Sequence, residues 1–231
     1  MYEVISEFYD LFMDDDEWIR FAVNAVKGKY KGADVGCGSG NVSIALSADH
    51  EVIAIDSSED MLRVAANKFA RHGLKIPTVL QKAQSFKLNF KADFITAMCD
   101  VVNYIQSPVS FFKAAYNNLA DNGLLVFDVS SEKKLRETLN NNVFTQTKEG
   151  VTYVWENSLK SNRVDMELTF FYPAANGLYA KAIDVQTQYI HTKQALIESL
   201  ISCGFDVDCT DKGDRIYFVA VKKENNGKDN L

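Results

Sequence analysis

One stretch near the N-terminus, residues 33–56, constrains the fold of this chain more than any other. It reads as an apolar strand, a glycine-rich turn, the start of a helix and a second apolar strand that ends in Asp56. Such a unit is typical of parallel α/β sheets that bind nucleotides. Glycines permit positive φ angles and a close approach of the backbone to a ligand, and the free N–H groups at the helix start favour an anion. The glycines of the turn are Gly36, Gly38 and Gly40.

The spacing of these glycines distinguishes between two kinds of cofactor. The dinucleotide fingerprint is G-x-G-x-x-G, whereas this turn is G-x-G-x-G, with Asn41 at the sixth position and Asp34 two residues ahead. Asp56 follows Asp34 by 22 residues, about the distance at which nucleotide-binding folds place an acid on the ribose hydroxyls. This pattern resembles motif I and the ribose-binding acid of class I S-adenosylmethionine-dependent methyltransferases. The alternatives are a nicotinamide-dependent oxidoreductase, which has a different glycine spacing, and a tight turn that binds nothing.

Composition and charge limit the class of protein. The chain has 231 residues, of which 47% are hydrophobic and 24% are charged, as in ordinary globular proteins. The net charge is −6 and no basic cluster occurs, so nucleic acid is not an expected partner. We expect a cytoplasmic protein without membrane contacts, because no apolar run is long enough to span a bilayer and the acidic N-terminus is unlike a signal peptide. The four cysteines lack metal or redox spacing, so we expect reduced thiols and no metal site.

The order of strand and helix signals predicts an α/β fold. We expect a doubly wound, Rossmann-like sheet of seven mostly parallel strands, with an antiparallel β insertion between strand five and the last helix. Residues 1–141 are expected to hold the N-terminal helices and the cofactor-binding half of the sheet. Residues 142–191 form the insertion, residues 192–223 the final helix and strands, and residues 224–231 a polar tail.

Individual elements follow from the hydrophobic periodicity and from the turn and capping residues. Ser57 or Ser58 is expected to cap the third helix, and Thr192 the last one. The predicted strands are 32–36, 52–56, 78–81, 92–98, 124–128, 151–157, 164–170, 178–191, 205–210 and 216–221. The predicted helices are 15–27, 41–48, 59–72, 108–120 and 193–202.

The insertion follows strand five, so it is expected to lie above the carboxyl ends of the strands, where open α/β sheets bind ligands. It is therefore a candidate lid and substrate platform. The alternative is a packing or dimerisation sheet, in which case the partner is a second copy of the chain in a homodimer.

The wider chain resembles a bacterial group of class I methyltransferases that act on small molecules. Beyond motif I, the resemblance rests on the segment 8–13 (Phe-Tyr-Asp-Leu-Phe-Met), on Asp93-Phe94 and on the segment 99–104 (Cys-Asp-Val-Val-Asn-Tyr). It implies S-adenosyl-L-methionine as cofactor and in-line SN2 methyl transfer to a small-molecule acceptor. Two other functions stay open: a methyltransferase acting on RNA or protein, and a cofactor-binding regulatory or scaffold protein without catalysis.

The resemblance also implies roles for individual residues. Gly36 and Gly38 would hold the methionine end of the cofactor, Asp34 would face its ammonium directly or through water, and Asp56 would accept the ribose hydroxyls. For Tyr9 and Met61 the alternative is a place in the apolar core. The resemblance places further residues around the glycine loop, the adenine and the sulfonium: Tyr9, Cys37, Ser57, Met61, Ala83, Gln84, Cys99 and Asp100.

The chemistry itself requires few catalytic groups. A nucleophile must lie in line with the S–CH₃ bond, and a hydroxyl or ammonium nucleophile must also lose a proton to a base. The candidate bases are Asp100, Tyr104 and His191, whereas His50 and His72 are expected at the surface. For Asp100 the alternative is a turn-capping role.

Overall fold

The computed structural model describes residue 6, residues 8–12 and residues 16–224, and for Tyr9 the backbone alone. The strands in this part of the chain are β1 (Lys31–Val35), β2 (Glu51–Asp56), β3 (Thr78–Leu80), β4 (Ala92–Ala97), β5 (Leu119–Ser130), β6 (Val143–Lys148), β7 (Val151–Leu159), β8 (Arg163–Pro173), β9 (Tyr179–Tyr189), β10 (Phe205–Lys212) and β11 (Arg215–Lys222). The α-helices are α1 (Glu17–Ala25), α2 (Asn41–Leu46), α3 (Glu59–Arg71), α4 (Val109–Asn118) and α5 (Lys193–Ser202). Short 3₁₀ turns occur at Tyr9–Phe12, Val101–Tyr104 and Ala175–Gly177, and a π-helical segment at Lys134–Leu139.

Seven strands form one sheet in the order β10-β11-β5-β4-β1-β2-β3. Neighbours from β5 to β3 run parallel, whereas β11 is antiparallel to both β5 and β10. The predicted doubly wound, mostly parallel sheet of seven strands is therefore confirmed. None of the helices in residues 6, 8–12 and 16–224 is both long and apolar enough to cross a bilayer.

The insertion forms a second sheet, ordered β6-β7-β8-β9, in which all neighbours are antiparallel. The predicted meander is present, but it has four strands where the sequence patterns had indicated three. The additional strand, β6, lies at an edge, and Phe144 is its one apolar side chain in the core of the insertion. Its polar sequence therefore carries a weak strand signal.

The Asn103 side chain attaches the insertion to the main sheet. The Asn103 Nδ2 donates a hydrogen bond to the Tyr189 carbonyl oxygen over 3.0 Å. The same side chain accepts from the Ser130 N–H through Oδ1 over 2.9 Å, so it joins the end of β9 to the end of β5. These bonds place one face of the insertion over the carboxyl ends of the parallel strands.

Local signals set most helix boundaries. Ser58 Oγ accepts from the Met61 N–H over 3.3 Å, and Thr192 Oγ1 accepts from the Ala195 N–H over 3.2 Å, as predicted for helix caps. The π-helical segment Lys134–Leu139 was not predicted. It is held by Leu135 and Leu139, which pack into the core of the insertion, so its winding depends on tertiary contacts.

The largest apolar cluster lies along the main sheet, where Phe127 of β5 stacks on Phe218 of β11 with ring centroids 4.7 Å apart. Both rings are fully buried. Cross-strand pairs of this kind fix the register of the sheet and thereby the positions of the strand ends.

We expect Phe127→Ala to lower the free energy of unfolding by about 3–5 kcal/mol, because the substitution removes a fully buried ring and leaves a cavity. Urea denaturation followed by circular dichroism measures the loss. Phe171→Ala, which truncates a ring that is 37% exposed on the insertion, is the control and should cost less than about 1 kcal/mol. Equal losses in the two variants would contradict the central place of the Phe127–Phe218 pair.

Candidate active site

A cavity of about 530 Å³ lies where the parallel strands end. One wall consists of the residues that directly follow β1, β2 and β4, and the opposite wall comes from the inner face of the insertion. The segment 8–12 contributes Phe8 and Phe12 to the lining. The cavity thus occupies the position at which open α/β sheets bind their ligands.

The glycine turn after β1 brings backbone rather than side chains to the cavity. Gly36 has a φ of +71°, and a Cβ at this position would lie 2.5 Å from Val101 Cγ2. Gly38 has a φ of +53° and lines the cavity, and no heavy atom lies within 4 Å of the position that its Cβ would take. A ligand can therefore approach the backbone at Gly38 closely.

Asp56 closes β2 with its carboxylate fixed by two backbone groups. Its Oδ2 accepts from the Gly38 N–H over 2.9 Å, and its Oδ1 accepts from the Ser58 N–H over 2.8 Å. Burial raises the pKa of this carboxyl, although both hydrogen bonds act to lower it. Each oxygen keeps a lone pair, so the carboxylate can accept further hydrogen bonds from vicinal hydroxyls.

Asp34 lies deeper, at the end of β1, and is 1% exposed. The hydroxyls of Ser43 and Thr96 donate to its two oxygens over 2.6 and 2.8 Å. Burial raises the pKa of Asp34 to about 6, although these hydrogen bonds lower it, and the charge of Asp56 raises it further. A cation in the adjacent cavity would favour the ionised form.

The end of β4 carries two consecutive residues in the left-handed region, Cys99 with φ +63° and Asp100 with φ +66°. This conformation is uncommon for residues other than glycine. It is held by hydrogen bonds with β5: the Cys99 N–H donates to Asp128 Oδ1 over 2.6 Å, and Ser130 Oγ donates to Asp100 Oδ1 over 3.0 Å. Arg215 connects the two acids, because its Nη1 bonds to Asp100 Oδ1 at 2.9 Å and also to Asp128 Oδ2.

This cluster of Asp100, Asp128 and Arg215 is the ionic centre of the site. Asp128 is fully buried, and burial raises its pKa to about 6 although the charge of Arg215 lowers it. Sequence reasoning identified Asp100 but missed Asp128 and Arg215. The position of Asp128 near the end of β5 was an available signal, whereas the role of Arg215 depends on the pairing of β11 with β5.

The insertion supplies a large apolar part of the lining, together with two glutamines. Tyr104 is 42% exposed, and its hydroxyl donates to Gln186 Oε1 over 2.9 Å. The Gln186 Nε2 in turn donates to the buried Asp184 Oδ2 over 2.6 Å. The other insertion residues that line the cavity are Tyr153, Trp155, Met166, Leu168, Phe170 and Gln188.

The N-terminal segment 8–12 connects the glycine turn to the insertion. Asp10 accepts from Ser39 Oγ over 2.6 Å and from Asn41 Nδ2 over 2.9 Å, and it pairs with Lys68. On the other side, Phe12 contacts the Tyr153 ring edge-on at a centroid distance of 4.7 Å. The segment was part of the resemblance found in the sequence, but no role was predicted for Asp10.

The structure brings most of the sequence-predicted residues together. The lining of the cavity includes Asp34, Gly36, Cys37, Gly38, Asp56, Ser57, Met61, Ala83, Gln84, Cys99, Asp100 and Tyr104. The side chain of Tyr9 lies outside the described residues. Burial raises the pKa of the Cys37 thiol, so this cysteine is a small filler of the turn and a poor nucleophile.

His191, predicted as a candidate base, is not among the residues that line the cavity. Its Nε2 donates to the Ile105 carbonyl oxygen over 3.0 Å, and burial lowers its pKa. The ring therefore joins the end of the insertion to the loop after β4. The sequence predicted that His191 ends the insertion and faces the site. The hydrogen bond to Ile105 instead sets the orientation of its ring.

Comparison with known proteins identifies the family. Residues 33–123 match the family described as methyltransferase domain. The crystal structure of an S-adenosylmethionine-dependent methyltransferase from Clostridium acetobutylicum is 26% identical, with a TM-score of 0.85, over 96% of this chain and 97% of that one. The chain is an S-adenosylmethionine-dependent methyltransferase, and these likenesses support class I. S-adenosylmethionine is its cofactor.

Further relatives have similar lengths. A putative methyltransferase of Geobacillus sp. (strain WCH70) is 29% identical over 245 residues, which cover 96% of this chain and 99% of that protein. The sugar N-methyltransferase KedS8 from Streptoalloteichus sp. shares the fold, with a TM-score of 0.80 at 18% identity over 96% of this chain and 94% of that one.

The residues of this methyltransferase fit its cofactor. The free space at Gly38 accommodates a ligand against the backbone, and the fixed carboxylate of Asp56 offers acceptors for a pair of hydroxyls. The carboxyl of Asp34 lies in the same wall, where it can balance an ammonium group.

We expect Asp56→Ala to weaken cofactor binding at least tenfold, because two hydroxyls lose a charged acceptor and the N–H groups of Gly38 and Ser58 lose theirs. Titration calorimetry with S-adenosylhomocysteine measures the affinity. Glu59→Ala, which removes an exposed carboxylate three residues further along, is the matched control and should leave it unchanged. Unchanged affinity in Asp56→Ala would contradict the ribose contact.

Proposed function

We propose that this enzyme transfers the methyl group of S-adenosylmethionine to a small molecule that binds between the strand ends and the insertion. The observation that carries the proposal is the cavity of about 530 Å³, which cofactor and acceptor share and which the insertion and the segment 8–12 cover. Small-molecule sites have volumes of this order. The net charge of −6 also argues against RNA.

The two walls of the cavity have different roles in this proposal. The glycine turn and Asp34 hold the methionine end, Asp56 holds the ribose, and the adenine lies near Ser57, Met61, Ala83 and Gln84. The insertion serves as the acceptor platform. The solved sugar N-methyltransferase with the same fold is compatible with a small acceptor.

The bound cofactor supplies a sulfonium methyl group that is already electrophilic. The protein must therefore orient the nucleophile, exclude water and remove a proton. The aromatic and aliphatic side chains of the insertion exclude water. Asp100 is the proposed base: its Oδ1 is occupied by Ser130 and Arg215, and its Oδ2 accepts no hydrogen bond within the described residues, so a proton from a hydroxyl or ammonium nucleophile moves to Oδ2.

The experiment that tests this function follows a labelled methyl group. The protein is incubated with isotope-labelled cofactor and, separately, with small metabolites, RNA and proteins from a cell extract, and the label is located by mass spectrometry. We expect the label in the metabolite fraction alone. Label in RNA or protein would identify a macromolecular methyltransferase, and tight cofactor binding without transfer to any fraction would indicate a regulatory protein.

We expect Asp100→Asn to reduce methyl transfer at least a hundredfold while cofactor affinity changes by less than about threefold, because the amide removes the base but fills the same space. Initial rates on the labelled metabolite and calorimetry give the two values. Asp93→Asn changes an aspartate at the opposite end of β4, which accepts from the Tyr30 and Lys31 N–H groups, and is the control. An unchanged rate in Asp100→Asn would remove Asp100 from the reaction.

We also expect cofactor affinity to fall about tenfold when the pH is lowered from 7 to 5. The pKa of Asp34 is about 6 in the cofactor-free protein, and the ammonium of the cofactor favours the ionised form, so binding requires loss of a proton below that pH. Calorimetry across this range measures the dependence. The Asp34→Asn variant should bind the cofactor more weakly at pH 7, and its affinity should not change with pH. Asp128 still titrates in that variant. An affinity that keeps its pH dependence would therefore show that another group is responsible.

A further inference from the structure

One cation on the cavity wall lacks an anionic partner in the part of the chain that the structure describes. Lys134 begins the π-helical segment, is half-buried and lines the cavity. Its backbone N–H donates to Ser131 Oγ over 3.1 Å, but no described carboxylate pairs with its ammonium. A half-buried ammonium at a ligand cavity favours an anion in the ligand.

The other cation on this wall is already paired. Arg215 bonds to both Asp100 and Asp128, so its single positive charge is shared between these two carboxylates. The strand pairing places Arg215 opposite Ser130, and the Ser131 N–H donates to the Asp214 carbonyl oxygen over 2.8 Å. Arg215 and Lys134 therefore flank the same end of β5, and Lys134 is the cation left for a ligand.

The backbone at Lys134 is held in an unusual form. π-Helical turns are rare and occur frequently at functional sites. Here the neighbouring Leu135 and the later Leu139 are buried in the core of the insertion together with Val164 and Met166. This packing keeps the start of the segment, and with it Lys134, on the wall that faces the acceptor.

We propose that the methyl acceptor carries an anionic group, a carboxylate or a phosphate, that binds Lys134 while the nucleophile lies at Asp100. The inference rests on the proposed function, because it assigns the acceptor to this cavity. The apolar body of the acceptor packs against Trp155 and Phe170. The acceptor is thus a small molecule with a nucleophile at one end and a negative charge at the other.

Simple aromatic probes test the anion site without knowledge of the acceptor. Phenyl phosphate, benzoate, benzyl alcohol and benzylamine are titrated at constant ionic strength into protein saturated with S-adenosylhomocysteine, and binding is followed by the fluorescence of Trp18 and Trp155, which both line the cavity. We expect one of the anionic probes to bind at least tenfold more tightly than benzyl alcohol. The stronger of the two identifies the anion as phosphate or carboxylate.

Variants assign this preference to one side chain. We expect Lys134→Gln to weaken the binding of the favoured anionic probe at least fivefold. The affinity of Lys134→Arg for that probe should stay within twofold of the wild-type affinity. Lys133→Gln, which neutralises the exposed neighbour outside the cavity lining, is the matched control and should bind as the wild type does. The proposal would be overturned if benzyl alcohol bound as tightly as the anionic probes, if benzylamine bound more tightly than they do, or if Lys133→Gln lost as much affinity for the anionic probe as Lys134→Gln.

The methyl-transfer experiment distinguishes a failure of this inference from a failure of the proposed function. Label in compounds that an anion exchanger does not retain overturns the anionic acceptor and leaves small-molecule methyl transfer intact. Anion binding that depends on Lys134, together with no transfer to any metabolite, supports the anion site and contradicts the proposed function.

Discussion

The burial of carboxylates at one edge of the sheet is the constraint on which the rest of this structure depends. Parallel strands end at a common edge, and here β1, β2, β4 and β5 end in or near Asp34, Asp56, Asp100 and Asp128. Charges removed from water destabilise the fold unless hydrogen bonds or opposite charges compensate them. Hydroxyls compensate Asp34, backbone N–H groups compensate Asp56, and Arg215 compensates the other two. The raised pKa values of Asp34 and Asp128 indicate that compensation by the protein alone is incomplete.

This constraint divides the site into two halves with different origins. The cofactor half is built from strand ends and their turns, where each contact lies a few residues from the strand that positions it. The proposed acceptor half is built from the insertion and from the antiparallel strand β11, whose residues come from distant parts of the chain.

The same division explains how much the sequence could predict. The glycine turn, Asp56, the cap at Ser58 and the seven strands of the main sheet follow from local patterns, and the structure contains them all. Arg215 was missed because its contacts require β11 to pair with β5, 85 positions away in sequence at Ser130. The π-helical winding at Lys134 was missed because it depends on packing against the insertion. His191 was expected near the reaction, but a single hydrogen bond to Ile105 directs its ring elsewhere.

The N-terminal segment has a consequence for the order in which ligands arrive. It is bonded through Asp10 to residues of the glycine turn, and Phe12 packs edge-on against Tyr153 of the insertion. A displacement that admits the cofactor at the turn also loosens the cover above the proposed acceptor platform. We therefore expect a compulsory sequence in steady-state kinetics, in which the methyl donor enters first and its demethylated product leaves last.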